Sequence, residues 1–193
     1  LFPNQALTYF FNGISNSTLK NYSKSITSLT DGLEFVYNNN PLLLSFYQSL
    51  GDAYNANKEY AKSDKAYDDA LKIDPDNASI LNNYAYFLSL RKEKLEKAEK
   101  FSRRSNELEP NNRSYLDTYG WILYQQGKYK EAEVWLSRAV KIGNKSAIAE
   151  HYGDVLYKLD RKEEALKYWM DAKASGGGSE FLDKKITEKK LND

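Results

Sequence analysis

The sequence has no cysteine and a single histidine, His151. Without cysteine the chain cannot form a disulfide, a thiol nucleophile or a zinc site of the cysteine type. One histidine cannot supply a histidine pair for a metal ion, and it has no cysteine with which to build a catalytic triad. These scarcities remove much of the side-chain chemistry from which catalytic and metal sites are made.

Phosphate-binding loops are also missing. No G-x-x-x-x-G-K-[ST] or G-x-G-x-x-G motif occurs, and the glycines at 176–178 follow a predicted helix instead of a strand. Carboxylates such as Glu163 and Glu164 are numerous, but nothing in the sequence separates their pKa values, so we interpret them as solvated helix faces. We predict that the chain is not an enzyme and has no catalytic residue, no metal and no cofactor.

Long hydrophobic runs and a large net charge are absent too. Hydrophobic residues make up 41% of the chain and charged residues 28%, and the formal net charge is +1. No run is long enough to cross a bilayer, and the overall charge attracts neither nucleic acid nor an anionic membrane. We therefore expect no nucleic-acid partner and no direct membrane insertion.

The sequence does contain a repeat. Small residues lie 34, 35 and 33 residues apart, at Gly51, Ala85, Gly120 and Gly153. Each lies in a similar helical phrase: YQSLGDAY (47–54), LNNYAYFL (81–88), LDTYGWIL (116–123) and AEHYGDVL (149–156). We expect each unit to be a pair of helices that cross closely where a glycine or alanine on the first helix meets an alanine on the second.

The third copy carries the clearest family pattern: Tyr119-Gly120 precedes Leu123, Gly127-Lys128-Tyr129 makes the turn, and Ala132, Leu136 and Ala139 follow. This pattern resembles the tetratricopeptide repeat (TPR) family. The resemblance implies an all-α fold, a right-handed superhelix (α-solenoid) of helical hairpins with a C-terminal capping helix. We predict one domain over 1–193, made of a degenerate repeat at 5–39, full repeats at 44–77, 78–112, 113–145 and 146–178, and a capping helix at 179–191.

The capping helix follows from hydrophobic residues after the glycine run. Phe181, Leu182, Ile186 and Leu191 fall on one side of an amphipathic helix, and the end of a solenoid exposes an apolar face that needs a cover. A helix that binds a partner is the alternative interpretation.

Recognition is expected on the inner face of the superhelix. In this architecture the first helix of each hairpin lines a concave groove, and residues spaced four and then three apart form one stripe. We name this set the groove stripe: Gln48, Asp52 and Asn55; Asn82 or Asn83, Tyr86 and Ser89; Asp117, Trp121 and Tyr124; Glu150, Asp154 and Tyr157; with Thr118, Gln125, His151 and Lys158 at its border.

The groove stripe is rich in amides and aromatic rings and is mildly acidic. We expect it to bind a peptide or partner segment of basic or neutral polar character, mainly across Asn83, Tyr86, Asp117, Trp121 and Asp154. The carboxylate clamp for chaperones that the resemblance suggests is not expected, because Lys158 is the only cation near the stripe. Packing between helices is the alternative role for Tyr86 and Trp121, and for His151 it is a half-exposed position with no titrating partner.

The segment from Arg91 to Arg104 is a second candidate, with seven basic and three acidic residues. We interpret it as a solvated second helix with ion pairs three and four residues apart, and contact with phosphate or anionic lipid is the alternative.

Three functional classes follow, in order of preference. The first is a protein-interaction scaffold that binds a protein or peptide of unknown identity in its groove. The second is a structural or oligomerisation module of a larger envelope-associated protein, for which self-association is possible. The third is a helical-repeat enzyme.

The sequence begins Leu1-Phe2-Pro3, with no initiator methionine and no signal-like stretch, so we interpret it as a fragment. Its heavy use of Lys, Asn, Tyr and Ser is similar to that of envelope-associated repeat proteins of the Bacteroidota. The localisation stays open between the bacterial periplasm or cell envelope and the cytoplasm, because a signal sequence would lie outside the fragment.

Overall fold

The structure, a computed structural model, describes residues 5–143 and 146–191. Within these residues all regular structure is helical, with eleven α-helices and no strand. Tertiary contacts group the chain into two compact units that divide between Ile80 and Leu81. The single domain over 1–193 stays a prediction, and Leu1-Phe2-Pro3 lie outside the described residues.

Unit 1 contains two helical hairpins. Its helices are α1 (Gln5–Thr18), α2 (Tyr22–Leu33), α3 (Asn40–Ala56) and α4 (Tyr60–Ile73). The first hairpin lies in the predicted degenerate repeat. The second begins at Asn40, before the predicted limit of 44, because the Asn39 side chain accepts a hydrogen bond from the Leu42 N–H at 3.0 Å and Pro41 occupies the first turn.

Unit 2 continues the hairpins and adds a short final helix; α5 begins just before the unit boundary. Its helices are α5 (Ala78–Leu90), α6 (Leu95–Leu108), α7 (Arg113–Gln125), α8 (Tyr129–Ile142), α9 (Ser146–Lys158), α10 (Lys162–Ala174) and α11 (Leu182–Glu188). The hairpin helices lie inside the predicted repeat limits, and the predicted end of the third repeat at 145 lies outside the described residues.

Glycine on the first helix of a hairpin lies beneath a large side chain of the second. A Cβ at any of three such glycines would lie 2.6 Å from that side chain, which is too close. The pairs are Gly51 with Tyr67, Gly120 with Leu136, and Gly153 with Trp169. Close approach at the repeated small residues is confirmed. At Gly153 the backbone of the expected alanine, Ala165, lies 3.1 Å from the same Cβ position, and in all three pairs a large side chain fills the space that the missing Cβ leaves.

The last helix is shorter than the predicted 179–191. Gly176 and Gly178 have positive φ angles of 83° and 136°, so the chain turns before the helix begins at Leu182. The early turn leaves Phe181 41% exposed, so its predicted place on the apolar side is wrong. Leu182 is buried as predicted, and the second buried side chain of this helix is the charged Lys185.

None of the helices in residues 5–143 and 146–191 combines the length and the hydropathy needed to span a bilayer.

Candidate functional site

In unit 1 one residue of the groove stripe, Asp52, makes a contact within its own hairpin. The Tyr67 hydroxyl on α4 donates a hydrogen bond to the Asp52 carboxylate on α3. Burial raises the pKa of Asp52 to about 6, and the hydrogen bond from Tyr67 offsets only part of this rise. Gln48 and Asn55 are half-buried on the same helix. Asp52 therefore joins two helices, in addition to any role in recognition.

In unit 2 the structure brings six predicted residues to one cavity of about 630 Å³. They are Tyr86 on α5, Trp121 and Tyr124 on α7, and Glu150, His151 and Asp154 on α9. Gln125 and Lys158 also line it, and Gly178, Ser179, Phe181 and Lys185 close one side. We call this space the α5–α7–α9 cavity.

Six groove-stripe residues of unit 2 do not line the cavity: Asn82, Asn83, Ser89, Asp117, Thr118 and Tyr157. The Ser89 and Thr118 hydroxyls are buried and donate to backbone carbonyls of their own helices. The Asn82 side chain is buried and donates to Asn83 Oδ1 at 3.3 Å, so this pair is used partly within α5. Tyr157 stacks on Trp169 with ring centroids 5.6 Å apart. Asp117 lies behind the cavity wall, where it contacts His151.

Three aromatic rings form a stack along the cavity. The Trp121 ring lies 4.1 Å from the His151 ring and 4.7 Å from the Tyr124 ring, at interplanar angles of 20° and 12°. The Trp121 indole N–H is buried, and within residues 5–143 and 146–191 it has no hydrogen-bond partner. Trp121 thus packs between helices and also lines the cavity, and its contact with a ligand stays a prediction.

His151 has a titrating partner, contrary to the sequence interpretation. Its Nδ1 lies 2.9 Å from Asp117 Oδ1. Burial opposes protonation of the imidazole, but the charge and hydrogen bond of Asp117 outweigh burial, so the pKa of His151 is raised. The two residues are 34 positions apart, one repeat length, so neighbouring hairpins bring them together; stripe-by-stripe inspection of single helices missed this contact.

Glu150 and Asp154 form a buried acidic pair around a lysine. Lys185 Nζ lies 2.8 Å from Glu150 Oε1 and 2.7 Å from Asp154 Oδ2. The Trp169 indole N–H also donates to Asp154, at 2.8 Å, and the Ser179 backbone N–H donates to Glu150 at 2.6 Å. Both carboxylates, predicted to bind a ligand, therefore have partners within the chain.

The two carboxylates respond differently to burial. Burial alone would raise the pKa of Glu150, but hydrogen bonds from Lys185 and Ser179 outweigh burial and lower it. Burial dominates at Asp154 and raises its pKa despite Lys185. Sequence analysis missed Lys185, although Leu182, Lys185 and Ile186 share one helix face by their spacing of three and four.

The basic segment from Arg91 to Arg104 makes contacts within unit 2. Glu99 accepts from Arg103 at 2.7 Å and from Lys128 at 2.9 Å, and Lys97 Nζ lies 4.5 Å from the centre of the Tyr84 ring. These contacts pair part of the positive charge of the segment within the chain, so this part does not need an external anion. No group of three or more metal-ligating side chains occurs in the described parts of the chain.

Comparison with known proteins identifies helical-repeat relatives. A family model described as the cilia and flagella-associated protein 70 middle TPR-like domain matches residues 47–170, more than half of the chain. The TPR repeat-containing protein PA4667 of Pseudomonas aeruginosa is 31% identical over 96 residues, which cover 50% of this chain and 16% of that protein. The type IV pilus assembly protein PilF of the same organism is 27% identical over 134 residues, 68% of this chain and 53% of PilF.

Solved structures are similar over nearly the whole chain. The structure of Pseudomonas aeruginosa PilF has a TM-score of 0.78 at 22% identity and covers 96% of this chain and 84% of its own. PilW, described as a widely conserved type IV pilus biogenesis factor, has a TM-score of 0.77 at 17% identity, covering 95% and 85%. These likenesses show the all-α helical-repeat fold predicted from the sequence. The chain spans about half the length of curated PilF and a smaller share of PA4667.

Proposed function

The chain belongs to the tetratricopeptide repeat family, in the TPR-like group of the cilia and flagella-associated protein 70 middle domain, and from this premise we propose that it is a protein-interaction scaffold. Unit 2 binds a peptide segment of a partner protein in the α5–α7–α9 cavity. The observation that carries the proposal is the stack of Tyr124, Trp121 and His151 along this cavity, beside carboxylates.

The chemistry of the cavity favours a basic or neutral polar segment. Aromatic faces attract apolar and cationic side chains, and aromatic residues contribute much of the binding energy at protein interfaces. Tyr86 on α5 lines the cavity as well and adds a further aromatic face. A small site with few charged anchors gives an expected Kd in the micromolar range, about −8 kcal/mol.

The relatives support a scaffold as the kind of role. PilF and PilW are named for the assembly and biogenesis of type IV pili. Family membership supports a non-enzymatic role and gives the third alternative, a helical-repeat enzyme, no support. The pilus itself is not part of the proposal, because identity to both solved structures is below 25%.

A structural or oligomerisation module is the second candidate. Leu7, Phe11 and Ile14 lie four and three residues apart on α1 and are 38%, 61% and 38% exposed, so one face of this helix is apolar. Size-exclusion chromatography with light scattering distinguishes the candidates. A dimer that Phe11→Glu converts to a monomer favours this second function.

The scaffold proposal is tested with peptides that are selected from a random peptide library for binding to the full chain. Fluorescence anisotropy then compares wild type with Trp121→Ala and with Val134→Ala, a control on the exposed face of α8. We expect Trp121→Ala to weaken binding at least 10-fold, by about 1.4 kcal/mol or more, and the control to change it less than twofold.

Because Trp121 also packs on two rings, circular dichroism checks that the variant folds, and His151→Gln provides an independent change at the same stack. Unchanged affinity in both folded variants would show that the cavity is not the recognition surface.

A further inference from the structure

The C-terminal segment, Gly176–Leu191, packs on the rest of unit 2 through Leu182 and Lys185, with the partly buried Ile186 and Leu191 beside them, and Ser179 donates to Glu150. In its helix α11 only Leu182 and Lys185 are buried, at 3% and 5% exposure. The segment is joined to α10 through Gly176 and Gly178, both with positive φ. A short helix with two buried side chains and a glycine connector resembles a bound peptide that remains attached to its receptor.

The Lys185 contact is better suited to selecting a partner than to adding stability. Its ammonium group meets three carboxylate oxygens of Glu150 and Asp154 within 2.8 Å, where all three side chains are nearly inaccessible to solvent. A buried ion pair adds little net stability compared with apolar packing, yet removal of one partner is costly. An apolar residue would cover the end of the repeat without this requirement.

The segment also forms one wall of the α5–α7–α9 cavity. Gly178, Ser179, Phe181 and Lys185 line it together with Trp121 and His151. Departure of the segment would therefore widen the cavity and expose Glu150 and Asp154. The two carboxylates would then need another cation.

We propose that the C-terminal segment is a tethered ligand, and that the surface beneath it binds a helical segment of a partner protein with a lysine three residues after a leucine. The partner's lysine takes the place of Lys185 between Glu150 and Asp154, and its leucine takes the place of Leu182. This proposal rests on the proposed function, because it names the class of segment that the cavity accepts.

The test uses the full chain and a synthetic peptide of its own residues 176–191. Tethering gives the native segment a local concentration of about millimolar, so a free peptide competes poorly with it. Lys185→Gln in the chain weakens the tethered copy while both carboxylates remain. We expect this variant to bind the peptide at least 10-fold more tightly than wild type, by fluorescence anisotropy.

Matched controls lie one residue away, at the exposed Lys184. The chain variant Lys184→Gln should bind the peptide as weakly as wild type. For the Lys185→Gln chain, a peptide with Lys184→Gln should bind like the parent peptide, and a peptide with Lys185→Gln should bind at least 10-fold more weakly. Equal binding of the two altered peptides, or equal affinity of the wild-type and Lys185→Gln chains, would overturn the proposal.

A second measurement avoids dependence on the folding of one variant. Because the chain has no cysteine, spin labels can be placed at Lys167→Cys on α10 and Lys184→Cys on α11. Millimolar parent peptide should shift the label pair to longer distances. If the distribution of distances between the two labels does not change at this concentration, the segment is a fixed cap and the proposal is overturned. Trp121→Ala, which tests the proposed function, leaves every partner of Lys185 in place. Failure of the proposed function can therefore be distinguished from failure of the tethered-ligand proposal.

Discussion

Two hairpins of this chain contain the same contact and complete it differently. In unit 1, Asp52 follows Gly51 and accepts from Tyr67, fifteen residues later. In unit 2, Asp154 follows Gly153 and accepts from Trp169, again fifteen residues later. The carboxylate joins the first helix to the second in both hairpins. Only Asp154 also receives a lysine, from α11.

The difference shows how a position in the groove stripe becomes available for recognition. In the remaining two full repeats the equivalent positions on the first helix are Tyr86 and Trp121. Because the turn of the second repeat is one residue longer, the residues at the matching place on the second helix are Ser102 and Leu136. Leu136 cannot donate a hydrogen bond, and the buried Ser102 hydroxyl has no hydrogen-bond partner within residues 5–143 and 146–191. Tyr86 and Trp121 both line the cavity. In the repeats without the polar contact this position thus lines the cavity.

The matched substitutions Asp154→Ala and Asp52→Ala give the largest expected contrast. Asp154→Ala leaves the Trp169 N–H unpaired in the core and removes a carboxylate from Lys185, so we expect a loss of about 3 kcal/mol in the free energy of unfolding. Asp52→Ala removes one hydrogen bond together with a poorly solvated charge, and its effect should stay within about 1 kcal/mol. Urea denaturation measures both. Equal losses would show that the lysine adds nothing.

The hairpins and the aromatic positions were predictable from the sequence, because periodic small residues and turns are local signals. The side-chain contacts at the candidate site were less predictable. The Asp117–His151 pair and the Lys185 contacts span 31 to 35 residues, and they depend on how hairpins and the last helix pack. Ligand binding by Glu150 and Asp154 stays a prediction, and the sequence did not indicate that Lys185 of the same chain supplies a cation to both.

Asp52→Asn is expected to stabilise the protein at neutral pH. The pKa of Asp52 is raised to about 6 in the folded protein, from an ordinary value of 3.8. A carboxyl group with a raised folded pKa contributes stability below its unfolded pKa, and this contribution is lost as the pH rises through the folded value. Wild type should therefore lose stability between pH 4 and 6.

Asparagine keeps an acceptor for Tyr67 without the buried charge, so the gain at pH 7 should be about 2 kcal/mol, allowing for residual solvation. Thermal unfolding at pH 4 and pH 7 checks the sign. An Asn variant less stable than wild type at pH 7 would mean that the ionised carboxylate is favoured in the fold. Asp154→Asn is the contrasting case, because there the substitution removes a charge that Lys185 needs.

The smallest expected effect is the pH dependence of the His151–Asp117 pair. The folded pKa of His151 is raised, so protonation stabilises the fold; this contribution is complete below about pH 6.5 and is lost as the pH rises through the raised value. Glu150 and Asp154 favour the same protonation, and Lys185 partly neutralises them. Because His151 is the only histidine, it is the main side chain expected to titrate between pH 6.5 and 8.5, the range in which unfolding is measured. We expect the free energy of unfolding of wild type to fall by less than about 1 kcal/mol over this range.

Asp117→Asn should remove most of this fall, because burial then opposes the charged imidazole without its main partner. A wild-type slope that persists in Asp117→Asn would assign the pH dependence to the acidic pair, and with it the electrostatic difference between this hairpin and that of Asp52.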